Sequence, residues 1–191
     1  NATEKIEVVR SNSSTLFGNA SGGVINLRTG SGTKGSFAET HNTFGDFGFR
    51  KNNISAGGEF GFNDVFVSAS NTVFDGWRQN SGSRSTQIHS VIDSRLNETT
   101  NLRLFASGVS NLFFIPGALT MQQFNADPAA ANATYLARKE RRHNRTGRLA
   151  FDLLTSFAGN HSLDVLAYVT PKVQTRSERG TFRDFNRFHL G

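Results

Sequence analysis

The sequence predicts an all-β fold, a transmembrane antiparallel β-barrel wall of about eight strands, and three observations predict it. From about residue 35 onward, apolar and polar residues alternate with period two. The connections between these stretches alternate between tight Gly- and Asn-rich turns and longer loops. Aromatic residues collect near the ends of the stretches. The 191 residues suffice for one ordinary domain or a piece of a larger one.

The first thirty residues do not alternate in this way. They read as a strand over Ile6 to Arg10, a polar turn, a short helical turn around Ser14 to Phe17, a glycine-rich bend and a second strand over Val24 to Thr29. Asn12 or Ser13 can cap the helical turn. Gly22 and Gly23 permit close backbone approach and positive φ where the chain reverses. The segment reads as a small element beside the strands that follow.

Those strands are written in alternation. Val65, Val67, Ala69 and Val73 alternate with Ser68, Ser70 and Thr72; Ile88, Ile92 and Leu96 with Gln87, His89, Asp93 and Arg95. Leu102, Leu104 and Ala106 alternate with Arg103 and Ser107, and Leu149, Phe151 and Leu153 with Arg148 and Asp152. Leu163, Val165, Ala167 and Val169 alternate with Ser162, Asp164 and Thr170. Successive strand side chains point to opposite faces, so each strand has one apolar and one polar face. Seven such strands fit between Gly35 and Thr175, and Thr181 to Leu190 supplies an eighth.

Tight turns fall at Gly61 to Asp64, Asn97 to Thr100 and Ala158 to His161. Longer connections run from Asp75 to Arg84 and from Phe113 to Arg142. Short turns on one rim and long loops on the other describe an outer-membrane barrel. Phe44, Phe47, Phe49, Phe60, Phe62, Phe74, Trp77, Phe113 and Phe114 lie where interfacial aromatic girdles belong. A soluble β-sandwich would instead turn its apolar faces against each other. The charges on the polar face (Asp93, Arg95, Arg103, Arg148, Asp152) suit a wet lumen better than a dry core.

Composition narrows the function. There is no Cys, so no disulfide framework, thiol nucleophile or cysteine-ligated metal site. No apolar run approaches the roughly 20 residues of a helical membrane span. Asn1 to Lys5 lacks a signal-peptide pattern, so an exported protein would be represented here by an internal segment. Lys and Arg number 21 against 15 Asp and Glu, a modest excess without any nucleic-acid-binding signature, so no nucleic acid is expected as a partner. The histidines (His41, His89, His143, His161, His189) have no zinc-ligand spacing. His89 and Asp93 share a strand face as an imaginable acid–base pair, but nothing completes it, so catalytic residues, metal and cofactors are all expected to be none. The sequons at Asn12, Asn53, Asn97, Asn132 and Asn160 reflect an Asn-rich composition.

Residues 4 to 29 carry a longer pattern. Glu7, Arg10, Leu16, Gly18, Gly22, Gly23, Val24, Ile25 and Asn26 match by type and spacing the end of the plug domain in TonB-dependent outer-membrane receptors, which this chain resembles. Ser11-Asn12 stands where that family usually has Gly-Pro, and Phe17 where it has Tyr. The long loop, with Ile115 to Thr120, Gln123-Phe124 and Ala126 to Pro128, is similar to an extracellular loop of receptors related to ferric citrate and siderophore importers. There Thr120 and Gln123 can form a capping box, and Asp127-Pro128 can start a helix along the Ala-rich stretch to Arg142.

The resemblance implies residues 1–30 as the C-terminal part of a plug and 31–191 as the N-terminal part of a transmembrane barrel, a partial transmembrane antiparallel β-barrel of about eight strands out of a larger one. It implies a location in the outer membrane of a Gram-negative bacterium, import of a ferric siderophore or similar metal chelate, and the periplasmic energy-coupling protein TonB as partner. Glu7, Arg10 and the Gly22–Asn26 run would keep the plug in register, with Arg10 facing an acidic lumen residue. Trp77, Arg78 and Arg84 are the ligand-binding candidates, because an aromatic ring with guanidinium groups can hold a planar anionic chelate. Rim arginines can equally meet the phosphates of lipopolysaccharide, to which the Arg138 to Arg148 cluster leans. A complete small barrel with a structural or adhesive role is the alternative.

Overall fold

The computed structural model describes residues 3–10, 22–29, 35–158 and 161–191. Strands β1 (Thr3–Val9) and β2 (Val24–Thr29) pair antiparallel in a two-stranded sheet. Eight further strands form one sheet: β3 (Phe37–Phe44), β4 (Arg50–Phe60), β5 (Asn63–Phe74), β6 (Ser83–Arg95), β7 (Thr100–Phe114), β8 (Arg141–Phe157), β9 (His161–Glu178) and β10 (Thr181–Leu190). Each pairs antiparallel with its sequence neighbours, in the order β10 to β3. Helices α1 (Met121–Ala126) and α2 (Ala133–Arg138) lie between β7 and β8. The all-β expectation and its eight wall strands therefore hold. The helical turn expected around Ser14 to Phe17, its caps Asn12 and Ser13, and Gly18 lie outside the described residues.

Strand length grows along the sheet, from 8 residues in β3 to 18 in β9. A tilted strand crosses hydrocarbon in about 9–11 residues, and the later strands are longer than such a crossing needs. The extra length lies on the rim opposite the tight turns at Gly61, Leu96 and Ala158. That rim carries the 45–49 and 75–82 connections and the long 115–140 loop, yet β9 and β10 are joined there by Arg179-Gly180 alone.

The register sorts side chains onto two faces. Glu59, Asp64, Asp93, Arg103, Asp152 and Leu166 stand directly opposite one another across β4 to β9. Extending this row by alternation, every carboxylate of β3 to β10 except Asp184 lies on that polar face: Glu39, Glu59, Asp64, Asp93, Asp152, Asp164 and Glu178. The other face presents Ile54, Val67, Ile88, Leu104, Leu149, Phe151, Leu163 and Val165, all exposed. Leu154 and Leu166 are exposed aliphatic exceptions on the polar face, which also carries Phe66, Val91 and Phe105 in one row.

Only Phe66, Val91 and Ala131 are buried apolar side chains among the described residues. A two-layer domain needs a shared core between layers, and nothing described here covers either face. The aliphatics are not turned against one another, so the soluble-sandwich reading fails.

Some expectations need correction. Arg10 falls just beyond β1, not within the strand. Of the aromatics assigned to girdles, Phe44, Phe60 and Phe114 lie on the apolar face, whereas Phe74 and Phe113 fall by parity on the polar face. Phe74 packs edge-on against Phe49, ring centroids 6.4 Å apart. Asp127 does not begin a helix. It is the C-cap of α1, and its Oδ1 accepts from the Ala129 N–H. The cap of α2 is Asn132, whose side chain accepts from the Thr134 N–H. Thr120 and Gln123 do form the expected capping box.

Candidate functional site

Three places collect polar side chains. The first is the β1–β2 hairpin. Glu7 and Asn26 face each other across it, and Asn26 Nδ2 donates to Glu7 Oε2 at 3.3 Å. Gly23 has φ 135°, and a Cβ there would lie 2.6 Å from the Val9 carbonyl oxygen. Gly22 has open space around it, so the close approach expected of the pair belongs to Gly23 alone. On the other face of the hairpin Ile6 opposes Leu27 and Val8 opposes Ile25, and all four are exposed. Arg10 is exposed just past the strand.

The second place is the long-loop rim. Arg78 donates from Nε and Nη2 to the Ala130 carbonyl at 3.2 and 2.9 Å, and from Nη2 to Gly117 O at 3.2 Å. Its guanidinium also lies 5.8 Å from the Trp77 ring centroid. Asn80, with φ 52°, donates to Ile115 O and Glu140 O. The backbone N–H of Gln79 donates to Ala129 O, and its Oε1 accepts from the Ala131 N–H. The 75–82 connection thus clamps both arms of the 115–140 loop. Trp77 is 49% exposed at the surface of this clamp.

Arg84 is not part of the clamp. It pairs with Leu112, which pairs with His143, and so stands on the apolar face. The register also divides the Arg138 to Arg148 cluster: Arg141 and Arg145 fall on the apolar face, Arg142 and Arg148 on the polar one. Arg148 Nε donates to Thr170 Oγ1 and its guanidinium sits 5.9 Å from the Tyr168 ring. Arg142 and Arg176 both bind Glu178. These two guanidinium groups hold the Glu178 carboxyl down to about 2. Glu178 is five residues past Val173, the last apolar residue of β9, which puts it about 12 Å beyond that stretch along a tilted strand.

Sequence reading missed Glu140, the one described side chain that is fully buried. Its Oε1 accepts from the Gly180 N–H at 2.9 Å, tying the base of the long loop to the β9–β10 turn. Its place in a run of charges, Arg138 to Arg142, conceals this in the sequence.

The third place is the polar face near the tight turns. Arg103 forks onto Asp93, Nε to Oδ1 at 2.5 Å and Nη2 to Oδ2 at 3.0 Å. An open cleft of about 730 Å³ is lined by Glu59, Asp64, Asp93, Arg95, Arg103 and Asp152. Asp93 is engaged by Arg103, and His89 packs edge-on against Phe105 at 4.8 Å and Phe66 at 6.1 Å. The imagined acid–base pair is therefore not assembled. Among the described residues no group of three or more His, Asp or Glu could hold a metal ion.

No protein-family model matches the chain. Among solved structures it is similar to a chain of the FpvAI–pyocin S2 complex, with TM-score 0.72 and 14% identity over 92% of this chain. It is also similar to the ferric citrate transporter FecA in the unliganded form, with TM-score 0.76 and 16% identity over 99% of this chain. It spans 25% of the first and 30% of the second. Both neighbours are TonB-dependent receptors, not enzymes. At these identities the likeness is one of fold, and the fold is that of a TonB-dependent receptor's partial barrel.

Proposed function

We propose that the chain is part of a TonB-dependent outer-membrane receptor that imports a ferric siderophore or a similar metal chelate. In this reading residues 1–30 end the plug, residues 31–191 begin the barrel, and TonB acts from the periplasm. The observation that carries it is the sorting of the wall: every carboxylate of β3 to β10 but Asp184 on one face, and the exposed aliphatics, Leu154 and Leu166 apart, on the other. A water-filled lumen and a hydrocarbon surround require that division. The FecA likeness favours a ferric chelate among cargoes.

Binding and gating, not bond chemistry, is the mechanism. Trp77 offers the exposed ring for a planar chelate, and Arg78 positions it while pinning the long loop. Arg84, on the lipid side, is left out of the ligand site. The hairpin pair Glu7 and Asn26, with Gly23, keeps the plug's last strands in register, and Arg10 is available to a lumen carboxylate. The alternative of a complete eight-stranded barrel needs β3 hydrogen-bonded to β10, whereas the sheet order ends at those strands. Uptake of radiolabelled iron chelates by iron-limited cells, with and without the full-length gene, tests the proposal. Uptake that is the same with and without the gene, for ferric citrate and for every siderophore of a panel, would reject iron-chelate import.

A further inference from the structure

We propose that the wall is jointed along the row Gly108, Gly147 and Pro171, so that the strand ends beyond it tilt as one body with the long loop. The row crosses β7, β8 and β9 on the apolar face, between Ile88 of β6 and Phe188 of β10. Leu149 and Val169 stand one row nearer the tight turns, and Thr86, Ser110 and Arg145 one row nearer the long loops. The joint therefore lies where the aliphatic band gives way to polar residues. Its placement at the outer edge of the bilayer rests on the reading that the apolar face meets lipid; the joint itself does not.

The ladder is incomplete at this row. β9 is an interior strand, flanked by β8 and β10, where proline is disfavoured because it has no N–H to donate. Pairing of β8 with β9 is continuous from Arg141 to Thr146 and from Leu149 to Phe157, and lapses at Gly147 and Arg148. Pro171, opposite Gly147 in this register, cannot donate to that carbonyl. A side chain bridges the lapse on the polar face, where Arg148 Nε donates to Thr170 Oγ1 at 3.2 Å.

Packing does not demand the two glycines. Elsewhere in the wall it does: a Cβ on Gly57 of β4 would lie 2.8 Å from the Phe37 ring, and one on Gly58 2.7 Å from Ser36 Oγ. A Cβ on Gly108 would meet nothing within 4 Å, and one on Gly147 would meet the Pro171 ring at 3.4 Å, an ordinary contact. Neither glycine has a positive φ. Glycine inside a strand is destabilising, since it loses the most freedom on folding. Two replaceable glycines side by side, next to an interior proline, weaken one row across three neighbouring strands.

Beyond the row the chain is cross-tied. Arg142 and Arg176 share Glu178, Glu140 accepts from the Gly180 N–H, and the Phe114 N–H donates to Gly82 O at 2.9 Å. Arg78 and Asn80 fasten this body to the 75–82 connection. A stiff rim on a weak row bends at the row, and the Arg78 clamp sets its resting tilt. A ligand engaging Trp77 and Arg78 acts on that clamp and so on the tilt of the whole rim.

The test uses the full-length receptor that carries this segment, in nanodiscs, with heat-modifiable gel mobility confirming that each variant is folded. In the parent, amides of residues 109–114, 141–146 and 172–178 should open together, and faster than those nearer the tight turns. Pro171→Ala with Gly147→Ala supplies the missing donor and removes a glycine, and should slow that opening roughly tenfold. Gly108→Ala should slow it by a smaller factor, and amides nearer the tight turns should be unchanged in all three variants. Spin labels at Phe62→Cys and Phe182→Cys read the tilt as the width of their distance distribution. Arg78→Ala should widen that distribution in the parent and leave it narrow in the stiffened pair.

Unchanged opening beyond the row in the stiffened pair overturns the joint. So does a widening by Arg78→Ala that persists when the row is stiffened, which would mark motion of the loop alone. A fluorophore at Leu104→Cys, challenged with brominated acyl chains, reports separately on the receptor reading. Without quenching, the lipid-facing assignment and the bilayer-edge placement fail, whatever the exchange shows.

Discussion

Arg78 reaches the carbonyl oxygen of Ala130, 52 residues further along the chain, with two of its N–H groups. A third bond, to Gly117 O, brings the opposite arm of the same loop under the guanidinium. Gly117 itself has φ 71°, and a Cβ there would sit 2.7 Å from the Tyr135 ring. The 115–140 loop is therefore a folded cap clamped by its neighbour, not a loose strap.

Removing the clamp should loosen this loop without unfolding the wall. Hydrogen bonds to a charged group contribute about 1.5–3 kcal/mol, so Arg78→Ala should raise tryptic cleavage at Arg138 and Lys139 by tenfold or more. Arg78→Lys should not rescue it, because an ammonium lacks the planar fork. An unchanged cleavage rate would show that the loop holds itself together.

Glu178 predicts a pH dependence. Its carboxyl is held at about 2 by Arg176 and Arg142, below the ordinary value of about 4.3. A depressed folded value means the stabilisation is complete above the unfolded value and is lost as pH falls from about 4 towards 2. Amide exchange at the β9–β10 turn should therefore accelerate across that window after correction for intrinsic rates. Glu178→Gln should be faster at pH 7 and flat across the acid range. Because the rim is wetted, the effect is modest. Parallel curves for both proteins would dismiss the carboxylate as its source.

Much of the wall was legible because a strand writes its two faces into alternate residues. The parity that places Asp93, Arg95, Arg103, Arg148 and Asp152 together needs no knowledge of partners. What parity cannot give is height and distance. In the sequence Arg84 groups with Trp77 and Arg78 as a loop neighbour, yet one step into β6 turns it to the apolar face. Asp127-Pro128 looked like a helix start because Asp caps and Pro begins helices. The carboxylate instead turned to Ala129, and Asn132, concealed in a sequon, took the capping role. The Arg78–Ala130 bond has no local signature at all.

The division into faces predicts opposite tolerance to charge. On the proposed reading, Leu104→Arg puts a guanidinium against hydrocarbon and should destabilise the folded barrel by about 2–4 kcal/mol. Gln87→Arg, exposed on the polar face, should fold like the parent. Urea titration of the reconstituted barrel, followed by heat-modifiable gel mobility, measures both. Equal penalties, or a larger one for Gln87, would reverse the assignment of inside and outside.

The hairpin separates two glycines that the sequence presents as a unit. Gly23 has a positive φ, and any side chain there collides with the Val9 carbonyl across the strand pair. Gly23→Ala should therefore strain the backbone by about 1–3 kcal/mol and disturb the register that sets Glu7 opposite Asn26. Gly22→Ala meets open space and should be nearly neutral. If residues 1–30 belong to a plug, the first substitution should raise antibiotic leak through the receptor and the second should not. Disulfide trapping in Glu7→Cys with Asn26→Cys reads the register directly. A pair that cross-links equally well with Gly23 and with Ala at that position would show that the glycine does not hold it.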